Sequence, residues 1–118
     1  MRVAAIVTSD GKQLREALER CRAAAAEGAA VRVFFRDESI PSLCPPSVWE
    51  RLALVGVVDV SIELAALKGA GDVTLHACSS SLYLWGIAPD DLLPSIDGVR
   101  GLIAFLADDL TGADEVLS

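Results

Sequence analysis

No two cysteines in this chain stand at Cys-x-x-Cys spacing: Cys21, Cys44 and Cys78 are odd in number and far apart. That excludes a disulfide framework and offers no zinc or other metal site, so reduced thiols are expected. With one histidine, His76, and no Gly-x-Ser-x-Gly elbow, the chain has no conventional hydrolase triad around Ser79–Ser81. It also lacks a Gly-x-Gly-x-x-Gly or Walker A sequence, and Ser9-Asp-Gly11 is a turn signal before it is a phosphate cradle, so no cofactor is expected. Positive charge is scarce: 10 basic residues face 17 acidic ones, for a net charge of −7, and no Lys/Arg cluster could neutralise a run of phosphates. Nucleic acid and anionic membrane are therefore not expected as partners. No apolar run approaches the ~20 residues of a membrane span, and the opening Met1–Val7 is too short for a signal-peptide core. A cytoplasmic location is expected.

What remains is the size of one compact domain, 118 residues, read as a single unit over 1–118. Hydrophobic residues make up 53% of it, above the ~45–50% of an ordinary soluble domain. One small core does not comfortably hide that much apolar side chain, and self-association is the simplest outlet.

The chain alternates short apolar runs with helical patterns. Arg2–Val7 reads as a strand covered on both faces, and Asp10 with Gln13 is a capping-box variant opening a helix. Leu14, Leu18, Cys21 and Ala25 share one face of that helix, which Gly28 is placed to end, so Cys21 is read as packing. Val31–Phe35 is a second strand, followed by a long turn-rich loop, Arg36–Pro46, that carries Cys44. Ser47 and Glu50 have the spacing of a cap for a short helix through about Leu54. Val55–Ile62 fits a strand as well as a helix; the helical reading from about Val60 to Lys68 is preferred. Val73–Ala77 is a central strand, Cys78–Ser81 opens a helix ended by Gly86 and Pro89, and Val99-Arg100 makes a short strand. An amphipathic helix over Leu102–Leu110 and a last strand over Asp114–Leu117 complete the pattern. The expected fold is α/β, three-layer α/β/α and flavodoxin-like, with about five mostly parallel strands and helices on both faces.

The strongest chemical argument attaches to Asp72-Val-Thr-Leu-His-Ala-Cys-Ser-Ser-Ser81, where a buried strand delivers Cys78 to a helix start. The unpaired N–H groups of a first helical turn favour thiolate over thiol, which suits a nucleophile. The competing reading is an inert buried cysteine. Ligands of an open parallel sheet bind outside the carboxyl ends of its strands. That edge collects Ser9 and Asp10, the Arg36–Ser47 loop and Cys78 with Ser79 and Ser80, and it puts Cys44 within reach of Cys78; a resolving or relay thiol is one reading of Cys44, and an incidental loop cysteine is the one a reducing compartment favours. His76 points to the same strand face as Cys78 and is read as a neighbour. The apolar run Leu82–Trp85 cannot all face one side of a helix, so Leu82, Tyr83 and Trp85 are expected at a subunit contact.

Taken in order, the Arg2–Val7 strand, the Val31-Arg-Val-Phe-Phe35 strand and its loop, the Asp72–Cys78 strand, Gly86-Ile87 and the closing Ala113-Asp-Glu-Val-Leu117 resemble the DsrE/DsrF-like proteins, which include TusBCD-type sulfur-relay subunits. The resemblance runs over nearly the whole chain. It implies a flavodoxin-like fold assembled as homotrimers, hexamers or related rings. It further implies a sulfur carrier or sulfurtransferase in which Cys78 forms a persulfide, taking sulfur from a donor protein and passing it to an acceptor. Members often carry a basic residue just before the Gly-Ile, where this chain has Leu82-Tyr-Leu-Trp85. That leaves the helix N-terminus and Arg36 to lower the thiol pKa. The alternative function is a non-catalytic oligomeric binding or regulatory module of the same fold.

Overall fold

A computed structural model describes residues 1–117. Its element order is β1 (Arg2–Val7), α1 (Gly11–Ala26), β2 (Ala30–Phe35), a 3-10 segment (Asp37–Leu43), α2 (Pro46–Arg51), α3 (Ser61–Gly69), β3 (Val73–Cys78), α4 (Ser79–Trp85), β4 (Gly98–Arg100), α5 (Leu102–Phe105) running on into a π-helical turn (Leu106–Leu110), and β5 (Glu115–Leu117). The five strands form one parallel sheet in the order β4-β3-β2-β1-β5. The expected three-layer α/β/α, flavodoxin-like arrangement is what the chain adopts.

Handedness decides which helix covers which face. From β1 to β4 each strand is added on the same side of the last, so right-handed crossovers bring α1, α2, α3 and α4 to one face. The return from β4 to β5 crosses the sheet in the opposite sense and carries α5 to the other. Burial follows this division. Val3, Ala5, Val7, Val31, Val33, Phe35, Val73, Leu75 and Ala77 pack with Leu14, Leu18 and Cys21 of α1, Val48 of α2, Leu64 and Leu67 of α3 and Leu82 of α4. The alternate strand positions Ala4, Phe34 and Cys78 pack against Phe105, with Leu102 and Leu110 at the margin. The Phe34 and Phe105 rings stack at 4.9 Å between centroids, a pair contributing about 0.5–1.5 kcal/mol beyond its buried area. One face is thus roofed by four helices and the other by a single short one.

Four expectations are corrected. The Arg36–Pro46 stretch is no loose loop: Ser39–Cys44 is buried, and Ser39 donates its hydroxyl to the Val7 and Arg36 carbonyls. Ser47 does not cap α2, because Pro46 takes the first helical position with its fixed φ and Pro45 becomes the N-cap. The last helix is not regular, since it passes from α to π geometry after Phe105. The Asp10–Gln13 capping box does not form either, since Asp10 is the N-cap of α1 but makes no side-chain cap hydrogen bond. Leu14, Leu18, Cys21 and Ala25 are the buried face of α1 as expected, Val60 caps α3, and Gly86 ends α4 in the left-handed region at φ 72°.

Candidate functional site

Cys78 is both the last residue of β3 and the N-cap of α4. Its backbone is still extended, at φ −71° and ψ 124°, so its side chain hangs beside the first turn of the helix. The thiol sulfur lies 3.2 Å from Ser80 Oγ. Burial pushes the thiol pKa up, but the Ser80 hydroxyl, the Ser81 N–H and hydroxyl and the Ser80 N–H outweigh it, and the net shift is downward. These are thiolate-favouring donors, all at the second and third helical positions where an N-cap side chain finds its partners. Ser81 also ties α4 to the 3-10 segment, because its Oγ accepts the Asp37 N–H at 3.1 Å.

The other two cysteines behave oppositely. Burial pushes the Cys21 thiol up to about 11. Burial, with the Asp91 carboxylate, pushes Cys44 up to about 12. Both are small core residues that stay protonated. Cys44 is also on the wrong side of the sheet: it packs among Ile40, Leu43 and Val48 on the four-helix face, with its thiol 3.9 Å from the Ile40 carbonyl, whereas Cys78 packs against Phe105 on the other face. The structure does not bring the two thiols together. Topology indicates which edge a loop reaches; the handedness of the crossover decides the face, and it separates them.

His76 does share the Cys78 face of β3 and is half-buried. Burial, then the Arg100 charge, lowers its pKa, against the pull of Asp97 and Asp109, so it is a neutral neighbour. Ser79 is the exposed first residue of α4. Asp10 caps α1 without a side-chain hydrogen bond. It lines a cleft of about 230 Å³ with Glu38, Ser42 and Trp85. Arg36 is not among the groups acting on the Cys78 thiol. Its Nε, buried and without a hydrogen-bond partner, lies 3.4 Å from Asp37 Oδ2.

The cation on the neighbouring strand in register with Cys78 is Arg100, which sequence reasoning missed; like Arg36 it is not among the groups acting on the thiol. β3 and β4 pair in parallel with Cys78 opposite Arg100 and His76 opposite Gly98, so Arg100 lies on the Cys78 face of the sheet. Its guanidinium is held by Asp108, Asp109 and the Ala104 carbonyl. The expected strand at Val99-Arg100 was the available signal, but the register that sets Arg100 against Cys78 is a tertiary fact. The subunit-contact reading of Leu82–Trp85 also changes. Leu82 is buried in the four-helix face, and Trp85 packs against it while donating its indole N–H to the Asp37 carbonyl at 2.9 Å. Tyr83 and Leu84 are the exposed pair, at 86% and 82%.

A parallel α/β/α sheet that ends an interior strand in a thiolate-favouring cysteine defines a class of small thiol-bearing flavodoxin-like domains. The chain belongs to the DsrE/DsrF-like family, whose family model matches residues 1–112. Among solved structures it is similar to a protein of unknown function, MTH1491, from Methanobacterium thermoautotrophicum, at 20% identity and a TM-score of 0.76, covering 99% of this chain and 98% of that one. That likeness is one of fold. No curated protein matches the chain. Among the described residues no helix is long and apolar enough to cross a membrane.

Proposed function

We propose that the protein is a sulfur carrier of the sulfur-relay type, with Cys78 as the persulfide-forming thiol. The observation that carries this reading is the placement of Cys78: alone among the three buried cysteines it is the N-cap of a helix, with Ser80 Oγ 3.2 Å from its sulfur, and its pKa is shifted down where those of Cys21 and Cys44 are shifted up. In the step envisaged, the Cys78 thiolate attacks the outer sulfur of a donor persulfide. A new S–S bond forms at Cys78, the donor's S–S bond breaks, and the donor leaves as a thiolate that takes up a proton. An acceptor thiolate then repeats the attack on the outer sulfur at Cys78. Sulfane sulfur moves without net oxidation of either protein. Ser80 and Ser81 serve both halves, because their donors stabilise the thiolate before loading and after release.

Assembly belongs to the same reading. The unit is a homo-oligomer, a trimer or a hexamer of two trimers, with Tyr83 and Leu84 in a subunit contact. A cytoplasmic location accords with thiols kept reduced.

One observation favours the alternative, a non-catalytic oligomeric binding module: Cys78 is only 1% exposed. Intact mass after incubation with inorganic polysulfide decides between the two. The expected result is a gain of sulfur mass that reductant removes and that Cys78→Ser abolishes. Equal loading of Cys78→Ser, or none in the parent, overturns the carrier reading.

A further inference from the structure

A thiol that exchanges sulfur with another protein must admit a second sulfur in line with the bond being broken, and at 1% exposure Cys78 admits nothing. Something over it moves. The four-helix face is an unsuitable candidate, because Val48, Leu64, Leu67 and Leu82 are all sunk into one continuous core. On the Cys78 face the cover is the stretch from Leu102 to Leu110, anchored by one fully buried side chain, Phe105, with Leu102 and Leu110 only partly buried. Few buried apolar contacts mark the segments of lowest local stability. The cover also leaves α geometry at Leu106, in the kind of π turn that recurs at functional sites.

Polar contacts attach the same stretch to the sheet at Arg100. Every partner observed for that guanidinium among the described residues, Asp108, Asp109 and the Ala104 carbonyl, lies on the cover. Arg100 itself lies on β4, one strand over from Cys78 and in register with it. The bonds that hold the cover shut therefore also neutralise the one cation that β4 places in register with Cys78.

We propose that residues 102–110 form a cap over Cys78 latched by Arg100, and that release of Asp108 and Asp109 at once uncovers the thiol and frees Arg100 as counter-ion to the sulfur anion. This rests on the carrier reading for its purpose but not for its geometry. Closed, the thiol is shielded and the cation occupied. Open, a thiolate or persulfide anion faces an unpaired guanidinium, which is well suited to a polarizable anion because it is weakly hydrated. Both states keep the sheet intact, since only the cap moves. With the cap closed the only groups that act on the thiol are the Ser80 and Ser81 donors of α4, while the charges of Arg100, Asp97, Asp109 and Lys68 act on His76, its neighbour on the same face of β3.

The test is the rate of iodoacetamide modification of Cys78 as a function of pH, in the full chain, followed by peptide mass. Asp108→Asn/Asp109→Asn removes the latch and keeps the cation. It is expected to react roughly tenfold faster, the size of change when a charge-assisted hydrogen bond no longer holds the closed state, and to reach its plateau at lower pH than the parent. Arg100→Gln also loses the latch but has no cation, so its plateau rate rises while its midpoint lies above that of the double variant. Asp108→Asn alone, at the more exposed of the two carboxylates, guards against a folding defect and is expected to fall between parent and double variant. Unchanged rates in both aspartate variants, or coincident midpoints for the double variant and Arg100→Gln, overturn the cap. Polysulfide loading, measured in parallel, separates the two readings. Faster alkylation without sulfur loading retains the cap and removes the carrier function, whereas loading that is indifferent to all three variants does the reverse.

Discussion

Cys44 and Cys78 lie on opposite faces of one sheet, each sealed in its own hydrophobic cluster. A disulfide needs Cα atoms within about 7 Å and side chains turned toward one another, and a β-sheet stands between these two. Mild oxidation is therefore expected to produce no intramolecular Cys44–Cys78 bond. Peptide mapping checks this, and recovery of that crosslink from folded protein would show that the 3-10 segment leaves its place in the core.

The serine donors at Cys78 give a pH signature. Because they lower the thiol pKa, the alkylation rate of Cys78 is expected to reach half its plateau at lower pH than that of an ordinary free cysteine. Ser80→Ala, which removes the hydroxyl 3.2 Å from the sulfur, is expected to move that midpoint upward. A midpoint left unchanged by the substitution would mean that the hydroxyl does not act on the thiolate.

Asp97 sets a different pH dependence, that of folding. Burial raises its pKa, yet Lys68, the Leu75 N–H and His76 together outweigh burial, and the net shift is down. The carboxylate bonds Lys68 Nζ at 2.8 Å and the Leu75 N–H at 2.7 Å. A carboxyl with a depressed folded-state pKa binds protons more tightly unfolded than folded. Its contribution is therefore complete above the ~3.9 of the unfolded chain and is lost as pH falls through the lower folded value. Asp97→Asn is expected to flatten the acid limb of stability against pH, as read by urea unfolding between neutral pH and about pH 3.

The apolar run at the end of α4 separates folding from assembly. Trp85→Asp removes a packed indole and its bond to Asp37, so a loss of about 3–5 kcal/mol is expected, comparable to other large-to-small core changes. Tyr83→Asp and Leu84→Asp alter exposed positions. They are expected to change subunit stability by within about 0.5 kcal/mol while dissociating the oligomer. Light scattering beside denaturant titration distinguishes the two effects, and a parent that is monomeric at micromolar concentration would remove the proposed contact.

The strands and the α1 stripe were legible because each answers to a local rule. Runs such as Arg2–Val7 and Val73–Ala77 carry side chains to two covered faces and need apolar residues throughout, and Leu14, Leu18 and Cys21 keep helical period. Cys78 was legible for the same reason, since a strand end and a helix start are both local events. What required three dimensions was everything defined by a neighbour. Arg100 matters through the register of β4 on β3, and Cys44 was placed on the right edge but could not be assigned a face. The serine-glutamate cap at Ser47 failed because Pro46, one residue earlier, satisfied the same helix start more rigidly.

Both borders of the sheet are strands of three residues, β4 and β5, beside central strands of six. So short a border gives an incoming strand few backbone groups to pair with, and natural sheets use that brevity to resist edge-to-edge growth. Any ring this protein builds must then be closed through side chains on its helical surfaces. In such a ring the angle between those surfaces would set the number of subunits.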